Sequence, residues 1–182
     1  MTSVNDIDVD ELGAMLETVE DDPELASFTF SAETEWTGGF ESETRIGNFE
    51  QAGETVESEE FTLVGDEPEE LFGDRAGPNA VELLLAAIGS CLSVTYAGHA
   101  ATKGIEIDDM RFEFEGDIDL RGFFGMSDEV RPGYEEIRCR THVESDADEE
   151  ELRALHEEVT ETSPLYDNVT DTVEVDFDLR LE

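Results

Sequence analysis

The sequence contains very little positive charge. Its 182 residues include 10 Lys plus Arg against 50 Asp plus Glu, which gives a formal net charge of −40 at pH 7. Proteins that bind a nucleic-acid backbone or an anionic membrane surface use Lys and Arg side chains to do so. We therefore expect neither a nucleic acid nor a membrane as a partner.

Cysteine is also scarce, since the chain has only Cys91 and Cys139. Two cysteines are too few for a disulfide framework, and no basic region followed by an apolar stretch opens the chain. The sequence contains no Cys-x-x-Cys or His-Glu-x-x-His motif, no phosphate-binding loop and no nucleotide-binding glycine fingerprint. We therefore expect a reducing cytoplasmic location and neither a cofactor nor a metal ion.

The acidic residues are spread through every segment instead of forming a tail. Such a charge repels itself in dilute buffer but is screened within about 3 Å at 1 M salt. This pattern predicts a protein adapted to the salt-rich cytoplasm of a halophile. An apolar content of 38% and 11 Phe argue for a packed core instead of intrinsic disorder.

The longest uncharged segment is Leu83 to Thr102, which is nominally long enough to cross a membrane. Its Gly, Ser, Thr and His residues dilute its hydropathy, and Glu82 and Lys103 bracket it, so we expect a helix buried in protein. Asn79 and Glu82 have the spacing of a capping box at its start.

The remaining periodicity predicts an α+β fold with antiparallel sheet. A short amphipathic helix occupies residues 1–20, and we assign residues 1–26 as an accessory element and residues 27–182 as the main domain. Residues 50–58 are predicted to form a loop. Strands are predicted in the segments 28–49, 61–64, 110–120, 134–143 and 173–181, and a second long helix begins at Ser145.

The two cysteines are the main candidates for catalytic residues, because the sequence places no histidine where it could activate Cys91. His99 follows Cys91 by about 80° round the helix and some 12 Å along it, which is too far for a thiolate–imidazole pair. Cys139 lies on the inward phase of a strand, where a small buried apolar residue is the usual role. Cys91 is flanked by Gly89 and Ser90, which allow a ligand or another backbone to approach, although composition alone favours a core residue.

Four segments resemble the OsmC and organic-hydroperoxide-resistance superfamily. They are DEPEELFGDRAGPN, GPNAVELLLAAIGSCLSVTYAGHAATKGIEI, DLRGFFGMSDEVRPGYEEI and SPLYDNVTDTVEVDFDL, and the resemblance covers residues 28–182. It implies the OsmC-like fold, in which antiparallel sheet surrounds a long central buried helix. It also implies an intertwined homodimer with a site between the subunits.

The resemblance assigns Cys91 as the peroxidatic thiol, which attacks the O–O bond of a hydroperoxide. It places an arginine from the N-terminal sheet beside the thiolate, which points to Arg45, with Arg75 as the alternative. The supporting glutamate of the peroxidases falls at Val81 here, and Glu82 is its neighbour.

The resolving cysteine of the superfamily corresponds to Ser163, which cannot form a disulfide. Recycling would then need Cys139 or a low-molecular-weight or protein thiol, unless there is no peroxide chemistry. The resemblance therefore implies thiol-dependent reduction of organic hydroperoxides. Two alternatives stay open: a non-catalytic module that binds a small apolar ligand beside Cys91, and a redox sensor without turnover.

Overall fold

The structure is a computed structural model that describes residues 2–181. It is a mixed α and β fold with antiparallel sheets and a long helix, which confirms the predicted fold class. The chain forms two compact units, one of residues 8–86 and the other of residues 87–181 with residues 3–7. The boundary predicted after residue 26 stays a prediction.

The N-terminal segment begins with a small two-stranded sheet, β1 (Ser3–Val4) and β2 (Ile7–Asp8). Helix α1 (Val9–Asp21) follows, and the Asp8 side chain caps it by accepting the backbone N–H groups of Asp10 and Glu11. The predicted short helix before Pro23 is therefore present.

A three-stranded sheet of the first unit contains β3 (Phe28–Thr29), β6 (Phe49–Gln51) and β7 (Glu54–Val56), in the order β3-β6-β7. The predicted loop over residues 50–58 is therefore wrong in part. Ala52 and Gly53 connect β6 to β7 with φ angles of 51° and 80°, so both lie in the left-handed region that tight hairpin turns require.

The second sheet of this unit contains β4 (Ala32–Gly38), β5 (Glu41–Ile46) and β8 (Phe61–Gly65). All neighbours are antiparallel, in the order β4-β5-β8. The turn at Gly38–Gly39 confirms the predicted hairpin, and β8 confirms the predicted third strand.

Helix α2 (Ala80–Lys103) has 24 residues and passes from the first unit into the second. Its buried residues are Ile88, Leu92, Tyr96, Ala100 and Ala101. They recur mainly every four residues and mark one face, whereas Val94 on another face is 71% exposed. By length and composition alone α2 could also cross a membrane, with a mean hydropathy of 1.7.

The second unit contains a two-stranded antiparallel sheet, β9 (Asp109–Asp117) and β10 (Glu136–Glu144). Its apolar face packs on α2. The ring centroids of Phe112 and Tyr96 are 5.7 Å apart, and a Cβ added to Gly89 would lie 3.1 Å from the Phe114 ring. The outer face carries ion pairs such as Arg138 with Glu115. The alternation predicted for both strands is therefore confirmed.

Three further helices complete the second unit. Helix α3 (Leu120–Phe123) lies in the connection between β9 and β10. Helix α4 (Glu149–Thr162) starts at a capping box formed by Asp148 and Glu151, three residues later than Ser145, and buries Leu155 and Val159. Helix α5 (Pro164–Thr170) follows at once.

The C-terminal segment, residues 172–181, forms no helix or strand, so the predicted strand over 173–181 is absent from the described chain. Its apolar side chains are exposed, and Phe177 reaches 91%. A strand requires a neighbouring backbone to accept and donate hydrogen bonds, and the part of the chain that the structure describes supplies none for this segment.

Candidate functional site

Cys91 lies in the middle of α2, in the second unit, and its side chain is partly exposed. Its sulfur lies 3.4 Å from the hydroxyl oxygen of Ser163, within hydrogen-bond distance for sulfur. Ser163 is fully buried. The structure thus brings together the two residues that the resemblance placed at the peroxidatic and resolving positions.

The backbone on both sides of Ser163 is fixed because this residue joins α4 to α5. Its N–H donates to the carbonyl of Val159 at 2.9 Å, and its own carbonyl accepts the N–H of Asp167 at 3.0 Å. Pro164 is the first residue of α5, a position where the missing N–H costs no helical hydrogen bond. This junction holds the Ser163 hydroxyl beside Cys91.

A cluster of polar side chains holds the end of α4 against α2. His99 Nδ1 lies 3.1 Å from the Glu158 carboxylate, and His99 Nε2 lies 2.9 Å from the Thr162 hydroxyl. Lys103 Nζ lies 2.7 Å from the other oxygen of Glu158. Lys103 and, to a smaller extent, His99 hold the pKa of Glu158 below its usual value. We call these four residues the His99 cluster.

Thr162 belongs to the His99 cluster and directly precedes Ser163 in the chain, so it connects the cluster to Ser163. The Thr162 hydroxyl lies 2.7 Å from the carbonyl oxygen of Glu158, to which it can donate, and 2.9 Å from His99 Nε2. The cluster therefore fixes the last turn of α4, which leads directly into the contact with Cys91.

Cys139 lies on the side of α2 away from the Cys91 sulfur. It pairs with Phe114 across β9 and β10, and the Phe114 ring lies against Gly89. Gly89 and Cys91 are two residues apart, which places their side-chain directions about 200° apart round the helix. The inward phase predicted for Cys139 is confirmed, but its side chain is exposed, not buried.

The surroundings of Cys139 disfavour its ionised form. Packing around the sulfur raises the pKa of the Cys139 thiol, and a hydrogen bond with Thr141 offsets this in part. Burial also raises the pKa of the nearby Tyr96 hydroxyl to about 12, with a contribution from Cys139. Tyr96 is hydrogen-bonded to Nδ1 of His156, which adds a second link between α2 and α4.

Glu82 belongs to the first unit and forms the predicted capping box. Its N–H donates to the Asn79 side chain at 2.9 Å, and its carboxylate accepts the Asn79 N–H at 2.9 Å. Arg75 also binds this carboxylate through two nitrogens, at 2.6 Å and 2.8 Å. Arg75 and, after it, Asn79 lower the pKa of Glu82 to about 2.

The loop before α2 is organised by the buried carboxylate of Asp66. This group accepts the backbone N–H groups of Glu67, Asp74 and Ala76, which together lower its pKa. The loop places Arg75 in the left-handed region, with φ of 57°, a backbone conformation that is unfavourable for residues other than glycine. The Asp66 hydrogen bonds and the Glu82 ion pair hold Arg75 in this conformation.

Arg45 lies on β5 in the first unit, among three glutamates of the same sheet. Its guanidinium is 3.1 Å from Glu35, 3.2 Å from Glu43 and 3.8 Å from Glu33. These carboxylates raise its pKa, Glu35 most strongly. The residue borders a cleft of about 460 Å³ that also contains Asn48.

Among residues 2–181, no group of three or more His, Cys, Asp or Glu side chains is arranged to hold a metal ion. His142 lies on the outer face of β10, 3.5 Å from Glu113.

The family model for OsmC-like proteins matches residues 73–178, which is more than half of the chain. The chain belongs to the OsmC-like family. It is 33% identical over 79 residues to the uncharacterized protein YmaD of Bacillus subtilis, and this match covers 43% of the chain and 52% of that relative. The chain therefore matches only about half the length of this curated relative.

Solved OsmC-like structures share the fold. The OsmC-like protein of Mycoplasma pneumoniae matches with a TM-score of 0.58 and 16% identity, over 80% of this chain and 89% of that one. An organic hydroperoxide resistance protein OsmC from Legionella pneumophila matches with a TM-score of 0.52 and 19% identity, over 78% and 88% of the two chains. At these identities the likeness establishes the fold alone.

The His99 cluster and the ion pair between Arg75 and Glu82 are not predicted from the sequence. His99 and Thr162 are 63 residues apart, and no local pattern predicts their contact. Arg75 and Glu82 are seven residues apart across a loop, and the abundance of carboxylates hides any one pairing.

Proposed function

We propose that this OsmC-like protein reduces organic hydroperoxides through the thiol of Cys91. The Cys91 thiolate attacks the outer oxygen of the hydroperoxide, and the O–O bond breaks. The alcohol leaves after taking up a proton, and Cys91 becomes a sulfenic acid. The contact between Cys91 Sγ and Ser163 Oγ carries this proposal, because it gives the partly exposed sulfur a fully buried hydroxyl as its polar partner.

The surface beside Cys91 favours an organic substrate. Ala87, Ser90 and Val94 flank Cys91 on α2 and are exposed, and none of them carries a charge. An alkyl or aryl group of a hydroperoxide can pack on such a surface. The Legionella pneumophila neighbour, described as an organic hydroperoxide resistance protein, supports the same choice of substrate.

The proposal is tested by treating the protein with cumene hydroperoxide in the presence of dimedone, which traps sulfenic acids. We expect labelling at Cys91, loss of labelling and of hydroperoxide consumption in Cys91→Ser, and retained labelling in Cys139→Ser. An unmodified Cys91 would contradict peroxide chemistry and favour binding of an apolar ligand. Oxidation of Cys91 without repeated consumption of hydroperoxide would favour a redox sensor.

Arg45 stays the predicted cation beside the thiolate, with Arg75 as the alternative. Glu82 stays the predicted glutamate that supports this arginine. Arg45→Gln and Arg75→Gln form a matched pair, since each removes one guanidinium that pairs with glutamate. We expect the variant of the functional arginine to lower the rate of Cys91 oxidation, while the other variant retains it. Equal rates in both variants and the wild type would exclude Arg45 and Arg75 from the mechanism.

We also propose that the functional unit is a homodimer. The C-terminal segment combines a strict alternation of apolar residues with high exposure, 91% at Phe177 and 87% at Leu181. Helix α2 also leaves most of its uncharged surface outside the core. A second copy supplies both a strand partner and an apolar surface of matching chemistry.

Light scattering in 2 M KCl without detergent tests the dimer against the chain mass of 20.2 kDa. We expect twice this mass for the wild type. Phe177→Ser should weaken the dimer, whereas Asp178→Ser, on the other phase of the same segment, should not. A compact wild-type monomer would contradict the proposal.

A further inference from the structure

We infer that Ser163 is a hydrogen-bond donor to the reacting sulfur, and that oxidised Cys91 is reduced by an external small monothiol, not by a second cysteine of the chain. This inference rests on the proposed function and adds its second substrate. It is carried by the Cys91–Ser163 contact and by the position of Cys139 on the far side of α2.

The Ser163 hydroxyl is placed to act on the sulfur. It is fully buried, so water does not compete for it, and Cys91 Sγ at 3.4 Å is the partner that the structure shows for this hydroxyl. A hydroxyl can donate to a sulfur, and a thiolate accepts more strongly than a thiol because of its charge. Ser163 therefore places a buried hydrogen-bond donor beside the sulfur that attacks the hydroperoxide.

Cys139 is poorly placed to resolve an oxidised Cys91. A disulfide requires Cα atoms within about 7 Å and Cβ atoms that face each other. The sheet that carries Cys139 packs on the Gly89 and Tyr96 side of α2, through Phe114 and Phe112. Tyr96 is seven residues after Gly89, so both face the sheet, while Cys91 points about 200° away from Gly89.

The reaction is completed by two equivalents of a small thiol. The first thiol attacks the Cys91 sulfenic acid, an S–S bond forms, the S–O bond breaks, and the oxygen leaves as water. The second thiol attacks this mixed disulfide, which releases the Cys91 thiol and a small-molecule disulfide. Cys91 is partly exposed, so a small thiol can reach the sulfur without displacing the buried Ser163.

Intact-mass spectrometry on the full chain tests the second substrate. The protein is oxidised with one equivalent of cumene hydroperoxide and then treated with one equivalent of L-cysteine as the probe thiol. We expect a mixed disulfide with L-cysteine at Cys91 in the wild type and in Cys139→Ser. In Ser163→Cys a second sulfur lies beside Cys91, so we expect an internal disulfide with a loss of about 2 Da and little L-cysteine adduct.

The role of the hydroxyl is tested by alkylation of Cys91 with iodoacetamide at pH 7. We expect Ser163→Ala to react several-fold more slowly than the wild type, since the attacking sulfur loses its hydrogen-bond donor. An equal rate in the two proteins would overturn the role of Ser163. Circular dichroism at the same salt concentration shows whether the variant is folded, and the Ser163→Cys disulfide tests the contact independently.

The two proposals fail in different ways. If dimedone labels Cys91, but the wild type oxidised without dimedone forms an internal disulfide or a covalent dimer, the external thiol is wrong and the peroxide chemistry stands. The same conclusion follows if L-cysteine leaves the sulfenic acid unchanged. If hydroperoxide never oxidises Cys91, the proposed function and this inference are both wrong.

Discussion

Arg75 and Glu82 form a two-point ion pair, with guanidinium nitrogens 2.6 Å and 2.8 Å from the two carboxylate oxygens. The same carboxylate accepts the N–H of Asn79 at the first turn of α2. One glutamate therefore caps the long helix and fixes the loop before it. In a chain with a net charge of −40, Arg75 is one of few cations, and its use here gives this loop a defined conformation.

Glu82→Gln should destabilise the protein at neutral pH by about 1 kcal/mol, since the pair is partly exposed and screened by solvent. Arg75 lowers the folded-state pKa of Glu82 from 4.5 to about 2. The ion pair therefore stabilises the protein above about pH 4.5 and loses this effect as the pH falls toward 2.

Denaturant unfolding of the wild type and Glu82→Gln at pH 7 and pH 3 measures this difference. Glu70→Gln is the control, because Glu70 is an exposed carboxylate of the same loop. A difference that stays constant between the two pH values would show that the ion pair does not account for the effect.

Thr162→Val should lower the free energy of unfolding by about 1 kcal/mol, because His99 loses its hydrogen-bond partner on α4. Thr160→Val is the matched control, since the Thr160 hydroxyl bonds the carbonyl of Glu157 within the same helix. Urea unfolding at fixed salt compares the two variants. Equal losses would mean that His99 contributes nothing through Thr162.

Cys139 should require unusually alkaline pH to react. In Cys91→Ser it is the one remaining thiol, and packing around its sulfur raises its pKa. The rate of alkylation by iodoacetamide should therefore rise with pH through a midpoint above the usual thiol value of about 8.5. A midpoint at or below that value would mean that the surroundings of Cys139 differ from those described.

The charge of a reducing thiol should affect the second half of the reaction. The net charge of −40 repels anions at low salt and is screened at high salt. Raising KCl from 0.1 M to 2 M should therefore accelerate reduction of oxidised Cys91 by mercaptoacetate more than by 2-aminoethanethiol. Stopped-flow rates with each thiol at both salt concentrations test this, and equal salt effects would exclude steering by the net charge.

Folding should depend on molar salt, since screening reduces the repulsion among 50 acidic side chains. Melting followed by circular dichroism should show a higher Tm in 2 M KCl than in 0.1 M KCl. The adaptation to high salt would be refuted by an unchanged Tm.

Much of the fold follows from local sequence signals. The capping box of Asn79 and Glu82 predicts the start of α2, and the alternating residues around Phe112 and Cys139 predict which faces of β9 and β10 pack on it. These signals act between near neighbours. The hairpin of β6 and β7 was missed because Ala52 gives no turn signal, although it adopts a left-handed conformation there.

The candidate site was predictable in part. The resemblance identified Cys91 and Ser163 separately, but their 3.4 Å contact joins positions 72 residues apart and depends on how α4 packs on α2. Arg75 could not be preferred to Arg45 as a partner of Glu82 from sequence, because charge pairing alone does not distinguish arginines among so many carboxylates.

The exposed C-terminal segment, residues 172–181, has a consequence for how newly made chains avoid misassembly. Its apolar phase resembles the sequences that stack into cross-β fibrils, while Glu174, Asp176 and Asp178 occupy the opposite phase. Stacking identical copies side by side would align these carboxylates, so they act as gatekeepers at low salt. Concentrated salt weakens that repulsion, so we expect an unpaired chain to be most prone to form fibrils under the salt conditions predicted to stabilise its fold.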